Sequence, residues 1–243
     1  SMGRKWNNIK EKKAAQDKKR GQSYTKVLAE ITIAVKSGGG DPNSNFRLKI
    51  GLQKARDNNV PKDNVEKAIK KGLGNEAANI HEANYEGYGL DGVAIFVEAT
   101  TDNVTRTVAN VRAAFTKHGG ALGKEGCLQF VFERKAIFEI PQNGLDLDAL
   151  TLDLIDVGAE DVVAEDGYIT IKASVENFGT INKKLEELHI KAEEAGFERL
   201  PLNFKEISKE SFDKVMKLIH MLEDDEDVQK VYHNIQYDEA FEN

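Results

Sequence analysis

The chain is short of the residues that would open several kinds of chemistry. It has one cysteine, Cys127, so no internal disulfide can form, which fits a reducing compartment. No apolar run approaches the ~18 residues of a membrane span, and the charged amino-terminal stretch contains no secretory-type apolar segment. A soluble protein with no membrane partner is expected. The histidines (His81, His118, His189, His220 and His233) show neither HxxxH spacing nor a cysteine partner, so no zinc pattern is legible. The consecutive acids Glu223, Asp224, Asp225, Glu226 and Asp227 lack the alternating ligands, turn glycine and distal Glu of a calcium loop. No nucleophile elbow occurs. The expectation is a non-enzyme with no catalytic residue, no metal and no cofactor; a hydrolase using the acidic half is a distant alternative.

What the chain does have is a division of charge. Its net charge is −7, yet residues 1–74 hold 18 basic and 7 acidic side chains, a net of +11. The remaining residues hold 16 basic and 34 acidic, a net of −18. Such asymmetry points to a local polyanion-binding part, because each phosphate neutralised by Lys or Arg releases counterions. The densest stretch is 4–26, with Arg4, Lys5, Lys10, Lys12, Lys13, Lys18, Lys19, Arg20 and Lys26 opposed only by Glu11 and Asp17. A helix there has a thin apolar stripe and a wide cationic face. Trp6, set among the charges, can stack on an unpaired base or dock on the next helix. Arg47 and Lys49 extend the candidate nucleic-acid contacts. The acidic remainder is expected to repel a polyanion and so confine contacts to the helical part.

Ser23 can cap a helix whose apolar residues Tyr24, Val27, Leu28, Ile31 and Val35 follow helical spacing. Gly38-Gly39-Gly40 stops it; the triplet lacks the Lys-Ser/Thr of a phosphate loop and follows a helix. A third helix starts near Ser44 or Asn45 with Phe46, Ile50 and Leu52 inward, and a fourth follows Pro61. From Tyr85 the periods change. Strands are expected at 93–100, 128–133, 136–140, 161–164, 168–173, 190–194, 199–207 and 228–236, with helices at 104–118, 145–157, 175–188 and 209–222. Leu128, Phe130 and Phe132 share one face of the second strand and are expected in the core rather than on an RNA-reading sheet.

The fold class expected is an all-helical amino-terminal domain followed by two ferredoxin-like α+β domains, one inserted in the other. The inner segment spells βαββαβ, and the flanking pieces close into a second such unit. The divisions are 1–77 (basic, helical), 78–134 with 197–243 (discontinuous α+β) and 135–196 (inserted α+β).

The opening Gly3-Arg4-Lys5-Trp6-Asn7-Asn8-Ile9-Lys10, with Lys13-Ala14 and Asp17, resembles the YebC family, whose relatives include the mitochondrial translational activator of cytochrome oxidase. So do Gly39-Gly40-Asp41-Pro42 with Asn45, Arg47 and Leu48; Tyr85-Glu86-Gly87-Tyr88-Gly89; Thr101-Asp102-Asn103 with Arg106-Thr107; and Gly119-Gly120 with Leu122-Gly123. Leu222-Glu223-Asp224 and Asp227-Val228-Gln229 with Val231-Tyr232-His233-Asn234 complete the match. The Gly-Arg-Lys-Trp opening is similar to the YeeN-type branch. Leu90-Asp91-Gly92 stands where the family usually has Pro-Gly-Gly, Asp225 where an apolar residue is usual, and Glu226 where Asp is usual. The resemblance implies a cytoplasmic three-domain protein without a cofactor, described as a DNA-binding transcriptional regulator. It also implies a rival role at the ribosome, with ribosomal RNA as partner, relieving stalling on proline-rich stretches.

Overall fold

The computed structural model describes residues 23–242. Helices come first, then two four-stranded α+β sheets. The chain divides into two compact units: a smaller one of residues 133–200, and a larger one containing the other described residues.

The larger unit opens with α1 (Tyr24–Gly38), α2 (Phe46–Asp57) and α3 (Lys62–Leu73). Each begins where its sequence supplies a start. Ser23 accepts a hydrogen bond from the Thr25 amide, Asn45 accepts one from Leu48, and Pro61 precedes the first turn of α3. Val27, Ile31, Ala34 and Val35 pack on Leu48, Ala55 and Ala68 to form their core. The inward stripe of α2 differs from the expectation: Leu48, Gly51 and Ala55 are buried, while Phe46 and Ile50 are half-buried. A Cβ on Gly51 would lie 3.1 Å from the Ile31 side chain, so the crossing of α1 and α2 selects this residue set.

Its sheet has the order β3-β1-β2-β8, from β1 (His81–Tyr88), β2 (Ala94–Thr101), β3 (Ala121–Leu122) and β8 (Val228–His233). The β1–β2 hairpin aligns Tyr85 with Val97 and Gly87 with Ile95. Helices α4 (Val104–Lys117) and α7 (Lys209–Asp224) cover one face, packing Val111, Phe115, Val215 and Leu218 on Ile95 and Val97. Ala94, Phe96 and Tyr232 on the other face pack with Leu128 and Phe132.

Three expectations are corrected here. Strand β1 was not among the expected strands, the first of which was placed at 93–100; the glycines of Tyr85-Glu86-Gly87-Tyr88-Gly89 permit close approach there, since a Cβ on Gly87 would lie 2.7 Å from the Ala121 carbonyl. Residues 128–131 form turns, since the Glu86 carboxylate accepts hydrogen bonds from the Gly126 and Leu128 amides and wraps the chain around itself. Leu128 and Phe132 therefore go to the core, while Phe130 is 80% exposed. Finally, the expected strand at 199–207 is divided: residues 199–201 end a strand that starts at Glu194, and beyond them there is only a single bridge, Lys205 with Ile235.

The smaller unit follows the order β4 (Phe132–Pro141), α5 (Leu147–Asp156), β5 (Ala159–Glu165), β6 (Tyr168–Ala173), α6 (Phe178–Glu187) and β7 (Glu194–Pro201). Its sheet order, β5-β6-β4-β7, is that of a ferredoxin-like βαββαβ unit. β7 starts where the short strand 190–194 was expected to end. Asp166 and Gly167, both at positive φ, turn the β5–β6 hairpin. Phe138 stacks on Phe178 at 4.7 Å, and Phe178 meets Phe197 at 5.0 Å, joining sheet to helix. Compared with this unit, the larger sheet keeps the same strand places but opens with a hairpin: the strand in the β6 place, β1, comes first. No described helix is long and apolar enough to cross a membrane.

Candidate nucleic-acid interface

The expected contacts Arg4, Lys5, Trp6, Lys10, Lys12, Lys13, Lys18, Lys19 and Arg20 lie outside the described residues. Lys26, Arg47 and Lys49 can be placed. The Lys26 ammonium donates to the Glu223 carbonyl in the last turn of α7, where the helix dipole favours a cation. Gln229 donates back to the Lys26 carbonyl at 3.0 Å. Arg47 donates through Nε to Glu30 at 2.8 Å and also pairs with Glu82 at the start of β1. Burial works against the Arg47 charge, but Glu30 and Glu82 outweigh it and raise the pKa above the ordinary arginine value. Both groups therefore join the helices to the sheet. Lys49 is half-buried on α2. Exposed cations of the helical part include Lys62, Lys67, Lys70 and Lys71 on α3, together with Lys36 on α1 and Arg56 on α2.

Gly38-Gly39-Gly40 ends α1, with Gly39 at φ 87°. Asn45 is 7% exposed and fastens this turn: its amide donates to the Ala34 carbonyl at 2.9 Å and the Gly39 carbonyl at 2.8 Å, while its oxygen caps α2. A Cβ on Gly38 would lie 2.8 Å from that amide.

Three carboxylates of the acidic run Glu223–Asp227 are engaged internally. Glu226 accepts from the Ser23 hydroxyl at 2.9 Å, and Asp225 accepts from the Asp227 amide at 2.8 Å. Asp227 is buried and takes Arg106 bidentately, at 2.7 and 3.1 Å, with the Thr107 hydroxyl 2.8 Å away. Thr107 also lies 2.8 Å from the Thr101 hydroxyl, and Asn103 caps α4 by accepting from the Arg106 amide. The motif residues Thr101, Asn103, Arg106, Thr107 and Asp227 thus form one lock between α4, β2 and the start of β8. Tyr85 is drawn towards it; burial, then Asp227 and Asp225, raise its pKa. Asp91 sits at φ 60° and accepts from the Ser211 hydroxyl.

Residues 4–75 match the description "TACO1/YebC protein N-terminal domain", and residues 80–235 match "TACO1/YebC second and third domain". The chain belongs to the TACO1/YebC family. Among its relatives is a "Probable transcriptional regulatory protein" of Amoebophilus asiaticus, 48% identical over 95% of this chain and 96% of the relative. A second protein of that name, from Persephonella marina, is 46% identical over 96% of this chain and 94% of its own. A crystal structure of a "Conserved Hypothetical Protein Aq1575" from Aquifex aeolicus has a TM-score of 0.78 at 39% identity, covering 88% of both chains.

Sequence reasoning missed one group of residues. Lys117 at the end of α4 and Lys217 on α7 both act on His118, whose pKa is lowered by burial, then by Lys117 and Lys217. The signal in the sequence is a helix, α4, that contains Arg106, Arg112 and Lys117 but no carboxylate.

Proposed function

We propose that the chain is a non-enzymatic, cytoplasmic, nucleic-acid-binding regulator of transcription whose basic helical part, residues 1–77, supplies the main contacts. The observation that carries this reading is the charge division of +11 over residues 1–74 against −18 beyond them. The names of the relatives, probable transcriptional regulatory proteins, support it. So does the internal use of the conspicuous polar motifs, which makes Thr101, Arg106 and Asp227 fastenings of the fold rather than reacting groups. Duplex DNA is the partner in this reading, and the division into residues 1–77, 78–134 with 197–243, and 135–196 is its frame.

The test is equilibrium binding of the full chain to duplex DNA and to structured RNA over a salt series. If about five basic groups touch phosphates, log affinity for duplex falls with log salt at a slope near −4.5. Replacing Lys10, Lys12, Lys13, Lys18 and Lys19 by Gln should remove most of that slope. Unchanged affinity in this variant sinks the assignment to the helical part. Tight RNA or ribosome binding without duplex binding makes the protein a translation factor instead.

A further inference from the structure

Residues 136–171 contain nine Asp and Glu side chains and not one Lys or Arg. Helix α5 (Leu147–Asp156) lies within them. Its inner side is ordinary, with Leu150 and Leu154 buried in the smaller unit. Its outer side is not: Leu152 is 68% exposed, and Ile155, three residues on, is 51% exposed. Side chains at that spacing stand together on one helix face. Asp148 and Asp156, both exposed, lie one turn before and one turn after Leu152 on the same face, and Asp153 is half-buried at its edge. None of these three acids has an ion-pair partner among the described residues. Neither feature helps the fold. An aliphatic pair left in water gains nothing from folding. The last turn of α5 holds no basic residue, so Asp153 and Asp156 meet the negative end of the helix dipole unopposed.

We propose that this face of α5 receives a basic amphipathic segment of another protein. The apolar side chains of the segment cover Leu152 and Ile155, and its Lys or Arg side chains meet Asp148, Asp153 and Asp156. Charge selects the occupant. Nucleic acid and an anionic membrane surface are polyanions, which the acidic stretch repels. A second copy meeting this face across a two-fold axis sets each acid against its like. A cationic helix satisfies the apolar pair and the acids together, laying its own i, i+3, i+4 anchors against them. Binding there needs no nucleic acid.

The probe is a fluorescent synthetic peptide of about 18 residues, with leucines at i, i+3, i+4 spacing and lysines elsewhere, titrated with the full chain by anisotropy. A peptide of the same composition in scrambled order, without an apolar face, is the control and should bind more weakly. Leu152→Ser with Ile155→Ser should weaken binding of the ordered peptide roughly tenfold or more while its salt dependence stays. Asp148→Asn with Asp153→Asn and Asp156→Asn should weaken it at low salt and flatten the salt dependence. Glu66→Gln with Glu76→Gln and Glu125→Gln, an equal loss of charge in the larger unit, should change it by less than about twofold. Circular dichroism checks that each variant stays folded. Affinity unchanged by the serine pair overturns the inference, as does an equal loss in the larger-unit variant. Wild-type dimers that dissociate in the serine variant make a second copy the occupant and overturn it too. So does peptide binding that appears only once Lys10, Lys12, Lys13, Lys18 and Lys19 are Gln, which makes the chain's own amino-terminal stretch the occupant.

Discussion

Replacing Asn45 separates two accounts of the glycine-rich turn. If Asn45 only caps α2, Asp is an equivalent residue, since both rank at the top for that position. In the structure its oxygen caps Leu48, but its amide also donates to Ala34 and Gly39 from a buried site. Asn45→Ala removes a cap worth about 1 kcal/mol and two buried hydrogen bonds worth roughly 1 kcal/mol each, a total near 3 kcal/mol. Asn45→Asp keeps the cap and turns an oxygen, with its charge, towards both carbonyls. It should therefore cost at least as much as Ala, about 3 kcal/mol or more. Urea unfolding followed by circular dichroism at constant m-value reads both numbers. A cost for Asn45→Asp of only a few tenths of a kcal/mol would refute the bridging account and leave Asn45 a simple cap.

The remaining expectations concern single side chains. Arg47→Gln should lower stability by about 1–3 kcal/mol, because Glu30 and Glu82 lose a charged donor, yet change duplex affinity less than any pair of the amino-terminal lysines; the reverse order would return Arg47 to the interface. Phe130→Ser should change stability by less than about 0.5 kcal/mol, whereas Phe132→Ala should cost about 3–5 kcal/mol, which denaturant midpoints check directly. Burial, then Glu86, raise the Cys127 pKa, so thiolate is scarcer at pH 7–8 than in a free thiol. Its reaction with a disulfide reagent should be slower than that of glutathione and accelerate only as pH rises further; a rate equal to glutathione across that range would contradict this.

The sequence alone determined the features that depend on near neighbours. Helices α1 to α3 follow from apolar spacing and from the starts at Ser23, Asn45 and Pro61, and the β5–β6 turn follows from Asp166-Gly167. The division of charge is composition and needs no structure. Only the tertiary fold decided which charges remain available. Lys26 meets Glu223 across 197 positions, Arg106 meets Asp227 across 121, and Glu86 gathers the turn that turns Phe130 outward across 40. A local pattern cannot encode such pairings, because the free energy of each depends on burial and partners supplied by another element.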